Sequence, residues 1–243
     1  MAKKDIHIGT SGWHYKHWKG PFYKEDEKNK NFLEVYCQTF KTAEINNSFY
    51  KLPSKETFKS WASMVPDDFI FSVKASRYIT HMKNLKDPRG PLNNFYKGIG
   101  PLGDKVGPIL FQLPPGWKLN LERLNDFLNH LSEDYRHTFE FRNETWFDEQ
   151  IYDTLKEHNA SFCIYDLKQK TSPKETTSDL VYIRLHGPAE DPYQGEYQKK
   201  GLNQWAKNIT NWKDQGKEVY CYFDNDQNGY APKDAVRLIE MIS

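Results

Sequence analysis

Eight short runs with the character of β-strands recur along this chain, and nearly every one is followed by a stretch with helical spacing. The runs lie at 6–9, 41–46, 69–74, 107–113, 138–142, 161–166, 180–187 and 218–223. Helical spacing follows in Phe32, Val35, Tyr36 and Phe40, where Asn31 offers an N-cap, and again toward Met64, where Ser54 does. It recurs at 93–99, in Leu121, Leu124, Phe127, Leu128 and Leu131, in Ile151 and Leu155, in Leu202, Trp205, Ile209 and Trp212, and at 232–241. Strands that alternate with helices are joined by crossovers, and crossovers make parallel sheets. Eight such units predict an α/β chain with the (β/α)8 architecture of a TIM barrel, residues 1–243 forming a single domain. The stretch 167–178 is polar, contains a proline and lacks periodicity, so a loop is expected where the helix after the sixth strand would stand. A doubly wound sheet is the alternative, but the Gly-rich phosphate fingerprint it would carry after its first strand is missing.

Length and charge narrow the choice of function. A chain of 243 residues with 37% hydrophobic content can bury one large core. With 34 basic against 33 acidic residues the net charge is +1, which argues against bulk attraction to nucleic acid or an anionic membrane. No apolar run approaches the roughly 20 residues of a membrane span. The start, Met1 to Asp5, leads directly into a strand without a signal-like apolar region, and the expected location is cytoplasmic. Cys37, Cys163 and Cys221 have no CxxC or zinc spacing, and the last two sit inside apolar strand patterns as core thiols.

In a barrel of this type the functional face lies at the carboxyl ends of the strands. The polar residues that share strand parity cluster at that end. Glu44 and Asn46 end the second strand, Ser72 and Lys74 the third, Gln112 the fourth, Glu140 and Arg142 the fifth, and Asp166 the sixth. Arg184 and His186 share a face on the seventh, and Tyr222 and Asp224 on the eighth. Scattered surface charge would not favour one end, so a polar, mixed-charge pocket at the strand ends is expected. Arg142 and Arg184 suit bidentate binding of a phosphate or carboxylate, or else clamp carboxylates between strands. Glu140, Glu44, His186 and Lys74 are the candidate proton-handling groups. Ser11, Trp13, Asn46, Tyr50, Gln112, Asp166 and Asn225 are candidate ligand contacts.

Other chemistries fit less well. Glu44, Glu140, Asp166, His186 and Asp224 or Asp226 make an inventory for a divalent metal, yet no HxH or HExxH spacing is present, and no metal or other cofactor is implied. The stretch 224–229 has the opening of a calcium loop, but Ala235 stands where the twelfth-position glutamate belongs. Gly9-Thr10-Ser11-Gly12 is one residue short of a GxSxG nucleophile elbow. The aromatic loop with Trp13, Tyr15 and Trp18 suits either packing over the barrel or stacking on a sugar or base.

Several of these pieces occur together in a known family. Gly9-Thr10-Ser11-Gly12-Trp13 with Tyr15, Trp18 and Phe22-Tyr23 is one, and Glu44-Ile45-Asn46 with Phe49-Tyr50 and Pro53 is another. Further along come Phe71-Ser72-Val73-Lys74 with Thr80-His81, then 107–115, and Glu140-Phe141-Arg142 with Trp146. Arg184-Leu185-His186-Gly187 and Phe223-Asp224-Asn225-Asp226 with Gly229 and Ala231 complete the set. In these pieces the sequence resembles the DUF72 (YecE-like) family from Gly9 to Ala231, which implies a TIM-barrel fold and leaves the reaction open. Asn47-Ser48 stands where the family commonly has Ser-Thr, and Asp224 where it commonly has Asn. The aspartate adds a negative charge and puts in doubt any role resting on an amide there.

The expected function is that of an enzyme acting on an anionic or polyhydroxylated small molecule, with hydrolysis, lyase chemistry and isomerisation equally compatible. Two alternatives are a nucleic-acid-processing or binding protein on the analogy of endonuclease IV-like barrels, and a ligand-binding barrel without catalysis.

Overall fold

The structure is a computed structural model that describes residues 5–242; residues 1–4, part of the expected lead into the first strand, lie outside the described residues. The fold class is the (β/α)8 barrel that the alternation predicts, a nearly closed barrel of eight parallel strands. The strands are β1 (Ile6–Thr10), β2 (Thr42–Ile45), β3 (Ile70–Lys74), β4 (Val106–Gln112), β5 (His137–Glu140), β6 (Ser161–Leu167), β7 (Leu180–Leu185) and β8 (Glu218–Phe223). The helices are α1 (Phe32–Tyr36), α2 (Lys55–Met64), α3 (Arg89–Ile99), α4 (Leu121–Leu128), α5 (Glu149–Glu157), α6 (Lys199–Asp214) and α7 (Tyr230–Ile242). After β6 the chain makes a two-residue strand, Lys170–Thr171, antiparallel to the end of β6, in the polar stretch expected to be a loop.

Two compact units divide the chain. The first takes the chain through Glu44, then Ile164–Lys174, then the chain from Asp179 onward. Its strands β1, β8 and β7 pair in parallel, with Gly9 opposite Tyr222 and Arg184 opposite Tyr222. Leu202, Trp205, Ile209 and Trp212 of α6 are all buried, as their spacing requires. Gly9 has no substitute, since a Cβ on it would lie 2.2 Å from the Thr42 carbonyl oxygen.

The second unit holds Ile45–Cys163 and Glu175–Ser178. Here β3, β4, β5 and the start of β6 pair in parallel, with Gln112 opposite Glu140. Rings of Phe111, Phe139, Phe141, Trp146 and Phe162 stack through its core. Ser54 caps α2 by accepting from Thr57 N at 3.2 Å, as its sequence position suggests. In the first unit Asn31 does not cap α1: it is itself helical and its amide donates to Glu27 Oε1 at 2.8 Å, because a single 3-10 turn precedes the helix. Helix α3 begins at Arg89, four residues before the sequence pattern shows it. Its first turn contains Gly90 and Pro91, which carry no helical periodicity.

Candidate functional site

In the first unit, the ends of β1, β2, β7 and β8 bring one set of polar side chains into a single network. Glu44, the carboxylate at the end of β2, is fully buried. Its Oε1 accepts from Ser11 Oγ at 2.6 Å and from Arg184 Nη2 at 2.8 Å, and its Oε2 accepts from the Tyr182 hydroxyl at 2.6 Å and from Arg184 Nε at 3.0 Å. Four donors on one carboxylate compensate the desolvation of both charges. Arg184 is thereby presented to Glu44 in the fork geometry that only a guanidinium supplies.

The far edge of the guanidinium serves two more groups. Nη2 donates to Asp224 Oδ2 at 3.1 Å, and His186 Nδ1 lies 2.9 Å from the same oxygen. Arg184 Nη1 lies 3.3 Å from His186 Nε2. A guanidinium only donates, so Nε2 must be the acceptor and Nδ1 carries the proton that is given to Asp224. The imidazole is neutral, and the lone pair of Nε2 is turned to Arg184. His186 is fully buried, whereas the Asp224 side chain retains 14% exposure, so Asp224 is the member of the network nearest solvent.

Around this edge stand further groups of the same unit. Tyr15 donates to the Ser11 carbonyl at 2.8 Å, and its phenol is held far above its ordinary value by burial and by the charges of Asp224, Asp226 and Glu44. Burial, and then the neighbouring Asp224, push the Asp226 carboxyl up. The Asp166 carboxyl is also raised by burial, although the Tyr197 hydroxyl donates to its Oδ2 at 3.1 Å. Its backbone carbonyl accepts from His186 N at 2.9 Å, which ties the end of β6 to β7. Asn225 is buried, with its amide nitrogen on the Gly195 carbonyl and on Asp234 Oδ2, both at 2.8 Å, while its Oδ1 is buried without a partner. Trp13 and Trp18 are both buried, and Trp18 packs against the rings of Tyr15 and Tyr23.

The second unit holds Glu140, Arg142, Lys74, Gln112, Asn46 and Tyr50. Glu140 is fully buried, and Arg142 Nε donates to its Oε1. Cys163 Sγ lies 3.8 Å from Glu140 Oε2, so this core thiol borders a carboxylate. Lys74 Nζ stands 4.5 Å from the centre of the Phe49 ring. Gln112 ends β4, Asn46 lies just beyond β2 with a buried, unpartnered Oδ1, and Tyr50 projects outward with 74% of its surface exposed. Among the described residues no group of three or more His, Cys, Asp or Glu side chains is disposed to hold a metal ion. No helix among them is long and apolar enough to cross a membrane.

Both arginines that the sequence offered to an anion are thus ion-paired with carboxylates, one in each unit. The chain as a whole is similar to known proteins. A family model described as "Protein of unknown function DUF72" matches residues 7–243. The chain belongs to the DUF72 family. The UPF0759 protein YunF of Bacillus subtilis (strain 168) is 23% identical over 269 residues, covering 98% of this chain and 94% of its own length. The UPF0759 protein YecE of Escherichia coli (strain K12) is 27% identical over 143 residues, 58% of this chain and 50% of its own. The crystal structure of a DUF72 family protein from Thermotoga maritima MSB8 superposes with a TM-score of 0.87 at 29% identity, covering 98% of this chain and 99% of that one. A DUF72 family protein from Enterococcus faecalis V583 shares the fold, with a TM-score of 0.85 at 20% identity over 98% of this chain and 95% of that one.

In this DUF72 chain the sequence reading did not place Tyr182, Tyr197 or Asp234 in the site. Tyr182 was within reach: it lies two residues before Arg184 on β7 and so shares its face. Tyr197 and Asp234 carry no such signal, because one is in a loop without periodicity and the other faces inward from α7.

Proposed function

We propose that this DUF72 chain is an enzyme that moves protons on a polyhydroxylated small molecule, bound where Asp224 reaches solvent in the first unit. The supporting observation is the network Ser11–Glu44–Arg184–His186–Asp224, in which buried charges converge on one accessible carboxylate. Charges are costly to bury, and apolar residues of the same volume hold a core at least as well, so such a network is retained for what it does to a ligand. Glu44 has its oxygens occupied and acts as a positioning residue for Arg184. Arg184 and His186 both donate to Asp224 and stabilise its charge, so a ligand hydroxyl finds a fixed acceptor there. Asp166, whose carboxyl is raised by burial, is the complementary acid of the same unit.

The pairing of Arg184 with two carboxylates favours a neutral hydroxylated ligand over an anion at this place. Proton transfer of this kind serves hydrolysis, elimination and isomerisation alike. The test is incubation of the protein in deuterium oxide with a panel of aldoses, ketoses, polyols and glycosides, followed by mass spectrometry. The expected result is saturable conversion or deuterium incorporation with one class, lost in Asp224→Ala while the fold is kept by circular dichroism. Binding without turnover in both proteins would make the chain a ligand-binding barrel, and neither binding nor turnover across the panel overturns the reading.

A further inference from the structure

The loop 187–195, which leaves β7 in the first unit, folds back onto the end of the strand it has just left. Gly187 turns it with a φ of +102°, and its N–H donates to the Tyr197 hydroxyl at 3.1 Å. A Cβ on Gly187 would lie 2.2 Å from the Gln194 carbonyl oxygen, so glycine alone lets the returning chain come this close. Tyr193 N donates to the His186 carbonyl at 2.7 Å, and Ala189 N to the Gln194 carbonyl at 3.3 Å. The far end is fixed as well: Gly195 N donates to Gln227 Oε1 at 3.3 Å, and Asn225 Nδ2 donates to the Gly195 carbonyl at 2.8 Å. All this stitching places Tyr193, whose ring meets His186 edge to face with centroids 5.5 Å apart. His186 in turn gives its Nδ1 proton to Asp224 at 2.9 Å. One aromatic ring and the accessible carboxylate thus touch the same imidazole.

Two features set Tyr193 apart from a packing residue. It is 44% exposed, and its φ of +68° lies in the left-handed region that a bulky side chain enters only at a cost. A turn that had only to close would carry glycine or asparagine there. Strain of this kind, held in place by surrounding bonds, gathers at ligand sites. We infer that Tyr193 is the stacking platform for the ligand of Asp224, and that this ligand is a cyclic sugar of the pyranose type rather than an open-chain polyol. A pyranose presents a flat face of C–H groups and a rim of hydroxyls, so an aromatic ring takes the face while a carboxylate accepts from the rim. An open-chain polyol has the hydroxyls without the face. The inference rests on the reading of Asp224 given above and names the class of ligand for that same site.

The experiment titrates the full-length protein with methyl pyranosides of the gluco, galacto and manno series, and with the matching alditols, by calorimetry. Saturable binding of a pyranoside is expected, kept in Tyr193→Phe and weakened about tenfold in Tyr193→Gly, the scale of one aromatic contact. The matching alditol should bind more weakly and be indifferent to both substitutions. The thermal midpoint of Tyr193→Gly should not fall below that of the wild-type chain, because glycine adopts the left-handed conformation without strain. Binding unchanged in Tyr193→Gly, an equal loss in Tyr193→Phe, an alditol bound as well as its pyranoside, or a lower midpoint in Tyr193→Gly each overturns the inference. In those cases the reading of Asp224 stands if Asp224→Ala abolishes the binding. A wild-type chain that binds neither class removes that reading, and this inference with it.

Discussion

Arg184 Nη1 points at His186 Nε2 from 3.3 Å, and this one approach dictates the protonation of the imidazole. Because the guanidinium cannot accept, Nε2 is unprotonated and Nδ1–H faces Asp224. Nitrogen-15 NMR of the histidine rings should show His186 as the Nδ1–H tautomer at neutral pH. In Arg184→Met the constraint is gone, and the Nε2–H form should become populated. An Nε2–H ring in the native protein would contradict the geometry.

The same arginine carries much of the first unit's stability. Its removal leaves Glu44 buried without its countercharge, and a broken buried pair costs about 3–5 kcal/mol. Arg184→Met should therefore lower the unfolding free energy by about that amount in chemical denaturation. Glu44→Gln should be damaging as well, and the double variant Glu44→Gln/Arg184→Met should cost less than the sum of the two. Additive losses would mean that the pair is not coupled as its distances require.

Asp224 serves the network through a single oxygen. Arg184 and His186 both reach the same oxygen, Oδ2, at 3.1 and 2.9 Å. An amide oxygen in that place accepts both bonds. Asp224→Asn should keep the fold and the His186 tautomer, at a cost of about 1 kcal/mol, the scale of one ordinary hydrogen bond. Asp224→Ala removes the acceptor from two buried donors and should cost about 2–3 kcal/mol. Equal losses in the two variants would show that the negative charge, rather than the acceptor, is what the network needs.

The strand-end positions of Glu44, Lys74, Glu140, Arg184 and His186 were legible because a period of two and a run of apolar neighbours mark where each strand stops. What they pair with was not. Glu44 and Arg184 are 140 residues apart, and only their shared unit brings the carboxylate to the guanidinium. Glu140, the last residue of β5, and Arg142, two residues on, bond to each other, and strand parity alone does not announce that pairing. Tyr50 stands in the turn after β2, and a turn has no parity from which to read the direction of a side chain. Cation and carboxylate counts predict a mixed-charge site, but only geometry tells which charges neutralise each other before a ligand arrives.

Asp234 makes a pH dependence of one sign. It is buried on α7, accepts from Tyr197 N at 2.9 Å and from Asn225 at 2.8 Å, and pairs with Arg237 at 3.0 Å. Burial nevertheless pushes its carboxyl from 3.8 up to about 6. The folded chain thus holds a proton there that the unfolded chain has released, and folding loses stability as the pH rises from about 4 to about 6. Relative to Asp234→Asn, the wild-type chain should become less stable across that window and level off above it. A difference that stays flat with pH would contradict the burial of an ionisable group.

His137 makes a dependence of the opposite sign in the other unit. It sits in β5 with its Nε2 at 3.1 Å from the Tyr96 hydroxyl, and burial pushes its imidazole from 6.5 down to about 4. Between those values the unfolded chain takes up a proton that the folded chain refuses, so stability is fully present above about 6.5 and is lost as the pH falls toward 4. The shift corresponds to about 3 kcal/mol at full development, at 1.36 kcal/mol per pKa unit. His137→Gln, which keeps a hydrogen-bonding group and cannot be charged, should remove this acid sensitivity. The expected reading is a wild-type chain that loses stability relative to the variant from pH 6.5 to 4, measured by urea denaturation at each pH. Parallel curves for the two proteins would mean that the imidazole is protonated inside the fold.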